Sequence, residues 1–288
     1  MIVWYYLVII SAILNALALI VEKKLLRSEH ALSFSISLSF AIGLLSLFLV
    51  PFADFSISPF QALLFLIYSV LLALSYWMTA RLFRHGSLST GSPIYNVLPI
   101  ILVVVLAFLL LDENIGVTRY LAIAAILAAT LIMVEESNKK RDTFGRKHYT
   151  ATIVAVAVLL GIANTFLKYA LTQANVFTFM LFTSVITPFM ISLLAFGRPV
   201  EYKRQVLNDA RKFIVPLALI GILTISYRVF LYSALSVAPV SIAIPLSSAI
   251  IVMITILSGG LLFGEHHISR KIALSAVILV AAYFLVAA

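Results

Sequence analysis

Apolar residues run along this chain in long unbroken stretches, and polar residues gather in the gaps between them. Ten stretches are long enough to cross a hydrocarbon core of about 30 Å, for which an α-helix needs about 20 residues. They cover 3–22, 32–50, 60–80, 88–111, 116–134, 149–171, 175–196, 213–236, 241–263 and 270–287. The period-two alternation of a membrane β-barrel is absent. The pattern therefore predicts an all-α integral membrane protein with ten transmembrane helices. The gaps carry breakers and charges. Pro51 and Pro59 flank one, Asp112, Glu113 and Gly116 occupy another, and 135–148 is strongly polar. The gap 197–212 is the longest and is expected to hold a short amphipathic helix. The first stretch contains Ala16 and Ala18 in an A-x-A arrangement. No basic residue precedes it and it is too long for the core of a signal peptide, so it is expected to be a retained helix.

Composition agrees with the pattern. Hydrophobic residues make up 63% of the chain and charged residues 11%, against roughly a quarter charged in a soluble domain. Such a surface needs lipid as its solvent. The chain has no cysteine, which excludes disulfides, thiolate metal sites and cysteine nucleophiles. The formal net charge is +9. Its basic residues lie in short gaps between apolar stretches, so the expected partner is a bilayer with anionic headgroups and not nucleic acid. Seventeen of the 20 Lys and Arg fall after the first, third, fifth, seventh and ninth stretches, and the remaining gaps hold only Arg119. The positive-inside rule then puts the odd-numbered loops in the cytoplasm and both termini outside.

A duplication is visible in the sequence. Shifted by 145 residues, Lys23 meets Lys168, Phe34 meets Phe179 and Ser39 meets Ser184. Shifted by 152, Ser89 meets Ser241, Pro93 meets Pro245 and Glu113 meets Glu265. The change of seven matches the extra length of the 197–212 gap over the 51–59 gap. Residues 1–143 and 144–288 are thus expected to be two five-helix repeats forming one transport unit. An odd number of helices per repeat inverts one half relative to the other, and a binding site is expected between the halves near the midplane.

Pro99 followed by Glu113 in Leu-Leu-Leu-Asp-Glu, the Leu-Leu-Phe-Gly-Glu ending at 261–265, and Lys168 seven residues after Gly161 resemble the drug/metabolite transporter superfamily, in its EamA-type ten-helix branch. The resemblance covers essentially the whole chain. Lys23 is the first-half counterpart of Lys168, with Ala16 in place of the glycine. Other departures are Ala122 and Leu274, where the family has glycine after each glutamate, and Ile251 where the first-half pattern predicts proline. The resemblance implies secondary transport, most commonly efflux of amino acids or related metabolites. It also implies cytoplasmic termini, against the charge bias.

The acids all fall at helix ends or in gaps, so no mid-membrane carboxylate is expected. Glu22, beside Lys23 and Lys24, reads as an interfacial charge. Two cations lie inside spans, Arg228 well within the eighth stretch and Lys168 near the end of the sixth. An intramembrane arginine costs at least ~2.5 kcal/mol on insertion scales, so it should face a cavity or a partner. Arg228 and Lys168 are candidate groups for a substrate carboxylate or phosphate. The alternative for both is a tie to backbone carbonyls, or snorkelling. Asn15, Tyr76, Trp77, Asn96, Asn164 and Tyr227 are the candidate walls of the same cavity, or else helix-packing groups. Tyr76 falls on the repeat position of Arg228. Pro93, Pro99, Pro188 and Pro245 lie within spans as gates or static kinks. Glu113 and Glu265 are expected to cap the helices that follow them.

No phosphate loop, nucleophile–base set or helical metal spacing is present, and His266-His267 lacks an i, i+4 partner. The chain is therefore read as no enzyme, without a cofactor or metal, and not driven directly by ATP. The expected function is alternating-access transport of a small organic metabolite bearing an anionic group, with a monomer as a plausible state. The alternatives are a sugar-phosphate or lipid-linked carrier, or a non-transporting scaffold or accessory subunit.

Overall fold

The computed structural model describes residues 4–26, 30–85, 88–113, 116–138, 143–199, 206–208, 210–264 and 268–287. Helices account for nearly all of them, and no strand occurs among the described residues. The helices are α1 (Trp4–Leu26), α2 (Ala31–Ser46), α3 (Pro59–His85), α4 (Leu88–Asn96), α5 (Pro99–Leu110), α6 (Val117–Asn138), α7 (Thr143–Gln173), α8 (Val176–Leu193), α9 (Ile214–Val237), α10 (Val240–Phe263) and α11 (Ile268–Ala287). Eight membrane-length apolar segments result, with α4 and α5 counting as one. The other two helices, α6 and α11, carry the shorter apolar runs Val117–Ile132 and Ile272–Phe284. The outer surface is apolar, with Leu44, Leu109, Leu193, Val215 and Leu261 all exposed.

The stretch 88–111 was expected as one helix and is two. Pro99 has no amide hydrogen, so the helical ladder cannot pass through it. Ile100 donates to Val97 instead of to Asn96. The Asn96 carbonyl, freed from the ladder, accepts from the Ser248 hydroxyl at 2.7 Å. Pro93, Pro188 and Pro245 lie inside helices that continue past them. The second stretch ends in a tightened turn, Leu47–Phe52, containing Pro51. The gap 197–212 has helical residues at 206–208 and 210–212, and 200–205 and 209 lie outside the described residues.

The long-range packing pairs α1 with α9, α3 with α7, α2 with α8, α4 with α10 and α6 with α11. Every one of these pairs joins a helix from the first half of the chain to one from the second. Small residues permit the closest approaches. A Cβ on Gly43 of α2 would lie 3.0 Å from the Ser184 carbonyl oxygen of α8 and 3.2 Å from Pro188 Cγ. A Cβ on Gly161 of α7 would lie 2.7 Å from Leu102 Cβ on α5. Hydroxyls fold back onto their own helix, as Thr183 does to Phe179 at 2.7 Å and Thr130 to Ile126 at 2.8 Å. In lipid this satisfies them without water.

Candidate functional site

Two adjoining cavities lie inside the bundle where α1, α3, α4, α7, α9 and α10 converge. The larger offers about 90 Å³ of space to a water-sized sphere. Asn15, Tyr95, Asn96, Asn164, Tyr227 and Arg228 line it. The smaller offers about 20 Å³ and is bordered by Glu22, Ser35, Tyr76, Thr79 and Thr224. Asn15, Tyr95 and Tyr227 belong to both walls.

Arg228 occupies the boundary. It is 3% exposed and sits midway along α9. Its guanidinium donates to the Tyr76 hydroxyl and lies over the Tyr76 ring, 5.6 Å from the centroid. Its Nε has no hydrogen-bond partner. A buried charge with a spare donor is costly to keep, and such a donor is available to an arriving anion. Around it Tyr68 and Tyr232 share a hydroxyl–hydroxyl bond of 3.0 Å. Ser92, on α4, accepts from Thr255 of α10 at 2.7 Å.

The predicted residues divide as follows. Asn15, Asn96, Asn164, Tyr227 and Arg228 share the larger cavity. Tyr76 borders the smaller one and touches Arg228 across the boundary. Trp77 does not join them. One position further along α3, it packs against a cluster of Leu32, Ile36, Ala73 and Ile191, with Arg81 over its ring at 5.3 Å. Lys168 does not reach the cavity either. Its ammonium donates to the carbonyls of Leu235 at 2.6 Å and Ala238 at 2.9 Å, where α9 ends. This is the carbonyl tie that the sequence left open as its alternative.

Glu113 also departs from expectation. It does not cap α6, which follows it in sequence. Its carboxylate accepts from the backbone amides of Val240 and Ser241, at 2.9 and 3.0 Å, and from the Ser241 hydroxyl at 2.6 Å. It therefore caps α10, from the other half of the chain. The backbone left-handed turn at Asp112, φ 52°, turns the chain just before it. Glu265 and His266-His267 lie outside the described residues.

Glu22 is a residue that sequence reasoning placed wrongly. Its neighbours Lys23 and Lys24 made it look interfacial. On α1, however, Lys24 is exposed, whereas Lys23 is buried and donates to the Phe83 carbonyl. Glu22 faces a third direction, into the smaller cavity. The helical rotation of about 100° per residue separates the three. The sequence also missed Tyr68, Tyr95, Tyr232, Ser247 and Ser248 as wall residues. A clue was available, because these are polar tips within otherwise apolar spans.

Among the described residues no cluster of His, Cys, Asp and Glu could hold a metal ion. At the basic end of the bundle His30 lies outside the spans. Burial, and then the charges of Arg84, Arg198 and Arg81, hold its pKa below the usual histidine value. Cationic side chains from α3 and from the segment after α8 thus gather at that end.

No curated protein matches the chain. The EamA-like transporter family matches over residues 2–135, from the start of α1 almost to the end of α6. With its apolar helices, this is a multi-pass membrane protein whose residues 2–135 are similar to the EamA-like transporter family.

Proposed function

We propose that the protein is a ten-span secondary transporter, built as two inverted five-helix repeats at 1–143 and 144–288. It moves a small organic metabolite bearing an anionic group by alternating access. The observation that carries this reading is Arg228, buried at the wall of an internal polar cavity with its Nε unpartnered. An anion there would gain a charge-assisted hydrogen bond in a low-dielectric setting.

Three contacts support the inverted repeat. At the 152 shift Tyr76 corresponds to Arg228, and the two touch. Asn96 corresponds to Ser248, and they are hydrogen-bonded. At the 145 shift Gly43 corresponds to Pro188, and they are in close approach. Positions that meet their own counterparts lie along a pseudo-twofold axis, and the cavity straddles it. Off the axis, Lys23 binding the Phe83 carbonyl repeats as Lys168 binding the Leu235 carbonyl. The basic loops face the cytoplasm in this proposal.

The test is a thermal-shift screen of the purified protein against a metabolite library, followed by counterflow of the hits in proteoliposomes. Arg228→Lys keeps the charge but loses the planar fork, so binding should weaken. Arg228→Ala should weaken it further, and Arg211→Ala, in the exposed loop, should leave it unchanged. Equal binding by Arg228→Ala and the parent would overturn the proposal.

A further inference from the structure

The smaller cavity contains a feature that binding an anion does not use. The Glu22 carboxylate borders it and has no hydrogen-bond partner among the described residues. Arg228 stands across the boundary of this cavity, bonded to the hydroxyl of Tyr76, which borders it. The other titratable groups lining this space are Tyr227 from α9, Tyr76 from α3 and Tyr95 from α4, and Arg228 of α9 lines the adjoining larger cavity. The side of α2 offers Ser35, Phe34 and Leu38, none of which titrates. Lys23 and Lys24, on the same helix as Glu22, point elsewhere, to the Phe83 carbonyl and to the exterior. One carboxylate therefore lies in a space otherwise lined by neutral groups, with one cation at its boundary.

We propose that Glu22 is the proton-binding group of the transporter, linked to substrate binding through Arg228, so that one proton accompanies each substrate anion. The proposal rests on Arg228 being the anion site. With the cavity empty, the guanidinium and the carboxylate balance each other's charge. A substrate anion that settles on Arg228 takes over that balance and leaves a second negative charge, on Glu22, without support. Two like charges in a low-dielectric space repel strongly. A proton from the open aqueous side then binds a Glu22 carboxylate oxygen and restores neutrality. The loaded cavity contains a guanidinium, an anion and a neutral carboxylic acid. On the opposite side the anion leaves Arg228 and the proton leaves Glu22. Linkage is reciprocal, so a proton on Glu22 tightens anion binding by the same factor that the anion tightens proton binding.

Neutralising Arg228 by substitution imitates neutralising it with an anion, which allows a test without a known substrate. Infrared difference spectra of the full-length protein, recorded over a pH series, report the carboxylic acid band of Glu22, identified as the band missing from Glu22→Gln. In Arg228→Gln and Arg228→Met the band should appear at a pH higher by about one unit or more than in the parent. Arg228→Lys should stay near the parent. A band at the same pH in the neutral variants and the parent overturns the linkage. A second measurement covers the case in which neither neutral variant folds. In liposomes with an entrapped pH dye, uptake of a library carboxylate by the parent should bring a proton with it. Glu22→Gln should lose the proton signal. Parent flux with no proton movement overturns the proposal and leaves the anion site standing, whereas failure of the anion site appears separately, as unchanged binding by Arg228→Ala.

Discussion

Arg228 and Tyr76 are held together by a hydrogen bond and a cation–ring contact. Tyr76→Phe keeps the ring and removes the hydroxyl. A hydrogen bond to a charged group contributes about 1.5–3 kcal/mol, so this variant should alter ligand affinity through Arg228 by roughly tenfold or more while remaining folded. A ligand titration followed by thermal shift measures it. His30 supports a pH prediction. Its pKa is lowered in the folded state, so the unfolded chain binds more protons below the ordinary value of 6.5. Stability should therefore fall as pH drops through that value, by up to one proton's linkage. Unfolding midpoints between pH 5 and pH 8 should vary less in His30→Gln. The sequence picked out Arg228 because an arginine deep in an apolar run stands out against its background. It could not separate Tyr76 from Trp77 or Glu22 from Lys23, because adjacent residues on a helix differ only in direction. Direction is set by which helices pack on which side, and for α1 and α3 those neighbours come from the distant half of the chain.

Among elements, the turn between α9 and α10 is held from both sides. Lys168 donates to the carbonyl end of α9, and Glu113 accepts from the amide end of α10. Each charge sits at the helix end that its sign favours. Glu113→Ala removes a cap and should cost about 1 kcal/mol of stability. Lys168→Met leaves two carbonyls without their partner and should cost about 1–3 kcal/mol. Neither should abolish ligand binding through Arg228, and a thermal-shift comparison with and without ligand separates the two effects. Gly161→Ala should be destabilising by about 1–3 kcal/mol, because its new methyl would meet Leu102 Cβ, which cannot swing aside without α5 moving. The helices themselves were legible from their length and hydropathy alone. The break at Val97–Leu98 followed from Pro99, although the sequence could not distinguish a bend from an interruption. Glu113 was recognised as a cap but assigned to the wrong helix, since chain order names the next helix and packing names the nearest one.

For the whole molecule, the proposed orientation puts the basic loops in the cytoplasm. The chain has no cysteine, so a single introduced thiol reports its side without background. Ser56 and Arg211 are both exposed and are placed on opposite faces by the ten-span reading. An impermeant maleimide applied to intact cells should label Ser56→Cys and should label Arg211→Cys only after permeabilisation. The reverse result reverses the orientation. Whatever the orientation, the short link between α9 and α10 has a mechanical consequence. Only Ala238 and Pro239 separate the two helices, and both ends of that link are pinned. The pair behaves as a bracket of fixed angle, with Arg228 on one arm and Ser247 and Ser248 on the other. In the proposed alternating-access cycle that side of the cavity is expected to travel as a single part. Any change in the cavity's shape is then concentrated in the facing wall, where α4 and α5 already meet at a joint rather than along a continuous rod.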